Sequence, residues 1–262
     1  MPHNVVFSRK YAFFALLILA LAGSVGSFLL FGLVYGIPPA WGQFHNIIHA
    51  HSHTMFGWAI LALMTIIWQR LPAYTGRPLP RGVSWQMAAT FIFSLSQLIA
   101  FWPNGYEVTQ IGSARLPLGA ISAGFAGVTW FWFMALYWRA VRGAGQLPRA
   151  VRLWNWGIVL LFIASMGAMA EPGLMVMEIE SEFVKSLFLH IFLDLFTTGW
   201  LLLATLGAIV AYLEDKKPLP GLPSANSWPC SSSPPSCWAC HPTYCHHGCS
   251  GRPRLPIWSW LA

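Results

Sequence analysis

Residues 11–35 read YAFFALLILALAGSVGSFLLFGLVY, a long run without a charged side chain. A helix needs about 20 apolar residues to cross the hydrocarbon core of a bilayer, so this run is long enough to span a membrane. Arg9 and Lys10 come directly before it, as basic residues do in a secretory signal peptide. Because the apolar core of a signal peptide has only about 7–15 residues, we interpret residues 11–35 as a retained transmembrane helix.

The composition of the whole chain agrees with a membrane protein. Of its 262 residues, 56% are hydrophobic, 15% aromatic and only 9% charged. A soluble domain carries about 25% charged residues, so this chain lacks the side chains that would cover a water-exposed surface. The apolar content excludes disorder for most of the length. The net charge of +7 does not indicate nucleic-acid binding, because the basic residues lie in short clusters between apolar runs.

Five further stretches have the length and composition of a membrane span. The six predicted spans are residues 11–35, 45–71, 83–102, 118–141, 153–169 and 184–213. Proline, glycine and charged residues separate them, and Glu171-Pro172 interrupts the apolar stretch after the fifth. The sequence therefore predicts an all-α polytopic bundle of about six transmembrane helices over residues 1–217, followed by a different segment at 218–262.

Lysine and arginine are distributed unequally between the two sets of span ends. One set carries eleven of them: Arg9, Lys10, Arg70, Arg77, Arg81, Arg139, Arg142, Arg149, Arg152, Lys216 and Lys217. The other set carries Arg115, Lys185 and five glutamates: Glu107, Glu171, Glu178, Glu180 and Glu182. Because cytoplasmic loops are enriched in Lys and Arg, we expect the first set and the N-terminus to face the cytoplasm.

Four histidines lie close together where the second span begins, on the side expected to face outward. His45, His49 and His53 are four residues apart and form one stripe on a helix. His51 lies about 200° around the helix from His49, so it is expected to face a different neighbour.

A fifth histidine is expected at a similar depth. His190 lies about two turns into the sixth span, and Asp194 follows one turn deeper on the same face. The second and sixth spans run in the same direction, so both sets of histidines are expected in the outer leaflet. Ionisable residues at membrane depth are costly and usually have a partner or a function.

Neutral imidazole is the usual nitrogen ligand of metal ions and of haem iron. A haem b needs one imidazole from each of two facing helices, or one imidazole and an open position. We expect His53 or His51 to bind it together with His190. His49 is a further candidate ligand, and Asp194 is expected to orient a ligand imidazole. In the alternative interpretation, these histidines are hydrogen-bonded at the membrane interface and bind no cofactor.

Residues 51–58 read HSHTMFGW, and Leu61, Ile66 and Leu71-Pro72 follow. This stretch resembles the second-helix motif of proteins related to haem-copper oxidase subunit I. In that superfamily, a second-helix histidine near the outer face binds a low-spin haem, which agrees with the expected orientation. Residues 190–194, HIFLD, and Gly199-Trp200 are a looser match in the sixth span. Gly57 and Gly199 are positions where a helix or a flat ring is expected to approach closely.

The resemblance implies a haem-binding subunit that transfers electrons toward oxygen or nitric oxide in a bacterial or archaeal plasma membrane. It implies other membrane subunits and a cytochrome c-type electron donor as partners. Glu178, Glu180 and Glu182 would form a docking edge for that donor or a solvated loop. Catalytic subunits have about twelve spans, an adjacent histidine pair and a copper-binding helix, which the spans of this chain lack. We therefore expect a short relative that keeps the haem site, or the front part of a longer protein.

Other classes of membrane protein use histidines at the same spacing. His45, His49 and His53 offer ligands for copper or zinc, as in a metal-dependent oxygenase or a transporter. Membrane di-iron enzymes need about eight histidines at the cytoplasmic face, which matches this chain less well. A non-catalytic subunit that packs against a larger partner is the remaining alternative.

Residues 218–262 differ in composition from the rest of the chain. They hold all five cysteines, at positions 230, 237, 240, 245 and 249. Residues 237–241, CWACH, match the pattern for covalent haem attachment, and the nearby cysteines and histidines offer zinc ligands. The remaining interpretations are translation in a shifted reading frame and a disordered tail.

Overall fold

Six helices of the computed structural model are long and apolar enough to cross a membrane, which confirms the predicted all-α bundle. These spans are Arg9–Tyr35, Phe44–Thr75, Val83–Asn104, Leu118–Val141, Arg149–Ala170 and Glu182–Asp215. The structure describes residues 2–177, 179 and 181–216. The four interpretations of the cysteine-rich tail, and Glu178 and Glu180 of the acidic loop, lie outside the described residues.

The helices follow one another up and down through the bundle. Their bounds are α1 Pro2–Tyr35, α2 Phe44–Thr75, α3 Val83–Asn104, α4 Leu118–Val141 and α5 Arg149–Val176. The sixth span consists of α6 Glu182–Asp194, a π-helical segment Leu195–Leu201 and α7 Leu202–Lys216. A 3₁₀ turn, Pro39–Trp41, connects α1 to α2. An antiparallel hairpin of β1 Thr109–Ile111 and β2 Ala114–Leu116 lies between α3 and α4.

Two helices continue past the prolines where the sequence predicted their ends. Pro72 lies inside α2 and Pro103 inside α3, each in the last turn. A proline there removes one N–H and leaves the rest of the helix intact. Gly76 (φ 65°) and Gly105 (φ 54°) then donate their N–H groups to the carbonyls of Pro72 and Phe101, at 3.0 and 2.8 Å. Left-handed glycines therefore end these helices.

The fifth helix also extends beyond its predicted end. The sequence placed its end at residue 169, but α5 continues to Val176, so Glu171-Pro172 does not break it. A proline near the end of a membrane helix frees few backbone groups, and neighbouring groups satisfy them. The π-helical segment and the hairpin had no counterpart in the sequence predictions.

α2 lies at the centre of the packing and contacts α1, α3, α4 and α7. Its Trp68 is fully buried, and the indole N–H donates to Oε1 of Gln86 in α3, at 3.3 Å. The Gln86 amide nitrogen donates to Oγ1 of Thr90 at 2.9 Å and lies 3.5 Å from the carbonyl of Thr129 in α4. An amide in hydrocarbon needs such partners, and these partners connect three helices.

Glycines allow two close helix contacts. A Cβ at Gly57 would lie 2.6 Å from Cβ of Ser94 in α3. A Cβ at Gly199 would lie 2.9 Å from Cδ1 of Leu160 in α5. Both glycines were predicted to permit close approach of a helix or a flat ring. In the structure they are helix–helix contact points.

Polar contacts connect neighbouring segments at one end of the bundle. At one end, which we call the basic end, Arg70 of α2 forms an ion pair with Asp215 of α7. Arg77 donates there to the carbonyls of Arg142 and Gly143, at 2.7 and 2.8 Å. The opposite end, which carries His45, His49, His51 and His53, is called the histidine end.

Gly57→Ala is expected to lower the stability of the bundle by about 1–3 kcal/mol, because the new methyl group would overlap Ser94 and push α2 from α3. Thermal unfolding of the detergent-solubilised protein measures the change. Gly23→Ala is the matched control, since no atom lies within 4 Å of a Cβ at Gly23. Equal melting temperatures for the two variants would contradict this packing.

Candidate functional site

The four histidines of α2 face two different sets of neighbours, as their spacing requires. His45, His49 and His53 lie along one side of the helix, and His49 and His53 contact Phe101 and Tyr106. These two aromatic residues belong to the end of α3 and the following loop. The remaining histidine, His51, points to α1. The cluster therefore consists of two separate arrangements on one helix.

His45 and His49 direct their Nε2 atoms toward each other. The two nitrogens are 2.9 Å apart, and the rings are nearly perpendicular, at 87°. One Nε2 must carry a hydrogen and the other must accept it. His45 is exposed and His49 is partly buried, so the pair is open to the aqueous edge of the histidine end. Two such nitrogens can also bind one metal ion between them.

His53 is held between two aromatic side chains. Its ring stacks on Phe101, with ring centroids 4.2 Å apart and planes 8° from parallel. Its Nε2 lies 2.7 Å from the hydroxyl oxygen of Tyr106. Tyr106 also places its ring edge-on against His49, at 4.9 Å. Nε2 of His53 is therefore engaged in a hydrogen bond with the Tyr106 hydroxyl group.

The sequence analysis did not single out Phe101 or Tyr106, although both contact the histidine stripe. Their position depends on the end of α3, where the Asn46 amide donates to the carbonyl of Pro103 at 3.3 Å. A Cβ at Gly105 would overlap the Asn46 side chain, and the left-handed φ of Gly105 also favours glycine. The available signal was an Asn-Gly turn followed by an aromatic residue at the level of the histidines.

His51 is oriented by the backbone of α1. Its Nδ1 lies 2.9 Å from the carbonyl oxygen of Ala22. A carbonyl only accepts, so Nδ1 carries the hydrogen and Nε2 keeps its lone pair. A Cβ at Gly26 would lie 2.8 Å from Cε1 of His51, so the ring fits here because residue 26 has no side chain. No hydrogen bond from a described residue reaches Nε2.

The structure does not bring His190 together with the histidines of α2. Its side chain is exposed, as is that of Asp194. Phe192 packs against Phe56 of α2, with ring centroids 6.2 Å apart. His190 is two residues before Phe192, so it lies about 200° around the helix and points away from α2. A haem bound by His53 and His190 across the two helices therefore does not fit this arrangement.

Three imidazoles of α2 do not converge on one point. Within the described residues, no group of three or more His, Cys, Asp or Glu side chains has the geometry of a metal site. His45 and His49 converge, whereas His53 turns to Tyr106. A metal at this end would have two protein nitrogens and would complete its coordination with water.

Comparisons with protein-family models, curated proteins and solved structures found no match. The function is therefore inferred from the chemistry of these residues.

Tyr106→Phe is expected to change the environment of His53 without altering the bundle, because it removes the hydroxyl that lies 2.7 Å from Nε2 and keeps the aromatic ring. Spectra of ¹⁵N-histidine-labelled protein in detergent should show one Nε2 resonance displaced. Tyr35→Phe is the control, since Tyr35 is exposed at the end of α1. An unchanged Nε2 spectrum for Tyr106→Phe would show that this hydrogen bond does not form.

Proposed function

We propose that this chain is a membrane subunit in which His51 of α2 would hold a haem b. The observation that carries the proposal is the hydrogen bond from Nδ1 of His51 to the carbonyl of Ala22. Such a bond fixes the ring, selects the tautomer and makes the other nitrogen a better ligand. Among the imidazoles of α2, His51 is the one held by a backbone carbonyl.

The neighbouring surface of α1 suits a flat ring. Gly23 and Gly26 are three residues apart, so they lie on one side of α1. No atom occupies the space within 4 Å of a Cβ at Gly23. The ring of His51 already covers Gly26, with Cε1 2.8 Å from the position of a Cβ there, so Gly23 is the glycine of this pair that leaves the helix surface open to a planar group. The α1–α2 side of the histidine end is therefore the proposed location of the macrocycle.

The other candidate ligands have different roles in this proposal. Nε2 of His53 is already engaged by Tyr106, and His190 faces away from α2. His53 then maintains the packing of the loop after α3. When bound, haem would supply one-electron chemistry, and the protein would supply the ligand nitrogen of His51, its orientation and an apolar surrounding.

The proposed role is electron transfer toward oxygen or nitric oxide, in keeping with the resemblance to haem-copper oxidase subunit I. The chain would act with a cytochrome c-type donor and other membrane subunits. In a bacterial or archaeal plasma membrane, the basic end would face the cytoplasm, because that end carries eleven of the thirteen basic residues in the membrane domain. The histidine end and its haem would then lie at the outer face.

His51→Ala is expected to abolish haem binding, because the axial nitrogen is removed. The measurement is a reduced-minus-oxidised spectrum with a pyridine haemochrome assay, on protein purified from a haem-replete host. His53→Ala and His190→Ala should retain a b-type spectrum, and His45→Ala serves as the surface control. Loss of haem in His53→Ala but not in His51→Ala would overturn the assignment, and wild-type protein without haem would overturn the function.

A second candidate function is metal binding by His45 and His49. The specific observation is the 2.9 Å separation of their Nε2 atoms on adjacent turns of α2. Copper and zinc both accept imidazole ligands in this arrangement. The metal would be an alternative to haem as the cofactor of this end, in an oxygenase or a transporter.

Removal of either imidazole is expected to weaken binding of Cu²⁺ or Zn²⁺ at least about tenfold, because a ligand is lost. Metal-free wild type, His45→Ala and His49→Ala are titrated with each ion in detergent. All variants retain residues 218–262, so binding by the cysteines there cancels in the comparison. His51→Ala is the control, and equal affinities for all four proteins would exclude this site.

A further inference from the structure

The outward side of the sixth span carries polar side chains among exposed apolar ones such as Leu187 and Leu189. Away from the ends of the span, five polar side chains are exposed: Ser186, His190, Asp194, Thr198 and Thr205. α6 contains no buried residue, whereas Phe196 and Trp200 of the following π-helical segment are fully buried. We call the exposed side chains of His190, Asp194 and Thr198, at a spacing of four residues, the polar face.

Neighbouring helices cover the other sides of α6. Phe192 contacts Phe56 of α2 and stacks with Trp130 of α4 at 6.5 Å. A Cβ at Gly167 of α5 would lie 2.9 Å from the carbonyl oxygen of Phe188 and 3.0 Å from the nitrogen of Phe192. The polar face is therefore the side of α6 that the described helices leave uncovered.

Asp194 lies near the middle of the bundle. Phe56 contacts both Phe192 and Phe196, so Asp194 is at the level of Phe56. At 1.5 Å per residue, this level is about 18 Å from the start of α2 and about 21 Å from Arg70. Since the hydrocarbon core is about 30 Å thick, the carboxyl group of Asp194 lies within it.

A carboxyl group at this depth needs a partner. Ionisable residues in membrane spans face the protein interior or a water-filled cavity, or pair with another group. Asp215, at the basic end of the same span, pairs with Arg70. Among the described residues, no basic side chain forms an ion pair with Asp194. A basic side chain from outside these helices would complement the carboxylate of Asp194.

We propose that the polar face is the docking surface for a transmembrane helix of a partner protein, which presents a basic side chain at the level of Asp194. Charge complementarity identifies this occupant. A second copy of the chain is not complementary, because copies inserted in the same direction bring like residues together at the same depth, with Asp194 against Asp194. The proposal uses the sixth span alone and does not depend on the haem or metal site.

A synthetic helix tests this surface directly. The probe is a Leu/Ala peptide of about 22 residues with one arginine at its centre, so that either insertion direction places the charge near Asp194. Energy transfer between the labelled peptide and the labelled full-length protein is measured in lipid vesicles. The peptide with leucine at the same position is the first control. The arginine peptide is expected to associate about three- to thirtyfold more tightly.

Asp194→Asn removes the charge, keeps the shape and should reduce association of the arginine peptide to the level of the leucine peptide. Glu182→Gln is the matched control, because Glu182 lies at the end of the same helix and pairs with Lys185. This control should bind as the wild type does. Equal binding of the two peptides, or no effect of Asp194→Asn, would overturn the proposal. Self-association of the protein that requires Asp194 would also overturn it, in favour of a second copy.

Discussion

The need to satisfy polar groups without water determines how this bundle is built. Gln86 meets it by bonding to Trp68, Thr90 and the backbone of Thr129, so that one amide holds α2, α3 and α4 together. Hydroxyl groups inside the helices, such as that of Thr54, donate to a carbonyl one turn earlier. Within the described residues, Trp200 Nε1 and Thr109 Oγ1 are the buried side-chain atoms that lack a partner. Few polar contacts therefore decide which apolar helices pack against each other.

The rotation of the α-helix explains why the histidines of α2 have different neighbours. Each residue turns an α-helix by about 100°, so two histidines two residues apart face nearly opposite directions. His51 consequently meets the α1 backbone, while His53 meets the aromatic side chains after α3. Each imidazole forms a hydrogen bond to a group of a neighbouring segment. That hydrogen bond occupies one ring nitrogen and leaves the other nitrogen for a ligand.

Much of the fold could be predicted from the sequence, because apolar length is a direct signal of a membrane span. The fourth span, residues 118–141, agrees with α4 at both ends.

The sequence could not show which side of each helix packs inward, since these helices are apolar on nearly all sides and have no amphipathic pattern to read. The side of the sixth span on which His190 lies could not be predicted for this reason. Its depth follows from counting residues, but its direction depends on Phe192, which packs against Phe56. Tyr106 was missed because a loop aromatic gives no periodic signal.

The π-helical segment Leu195–Leu201 adjusts the rotation of the sixth span. Each i→i+5 hydrogen bond encloses one residue more than an α-helical bond, so the segment holds an extra residue. Without the extra residue, α7 would be rotated by about 100° about its axis, and Ala204 and Ala211 would leave the core. The two halves of the span can therefore vary separately in evolution. An insertion or deletion of one residue would be absorbed here, where the backbone has already changed its pitch, more readily than elsewhere in the membrane.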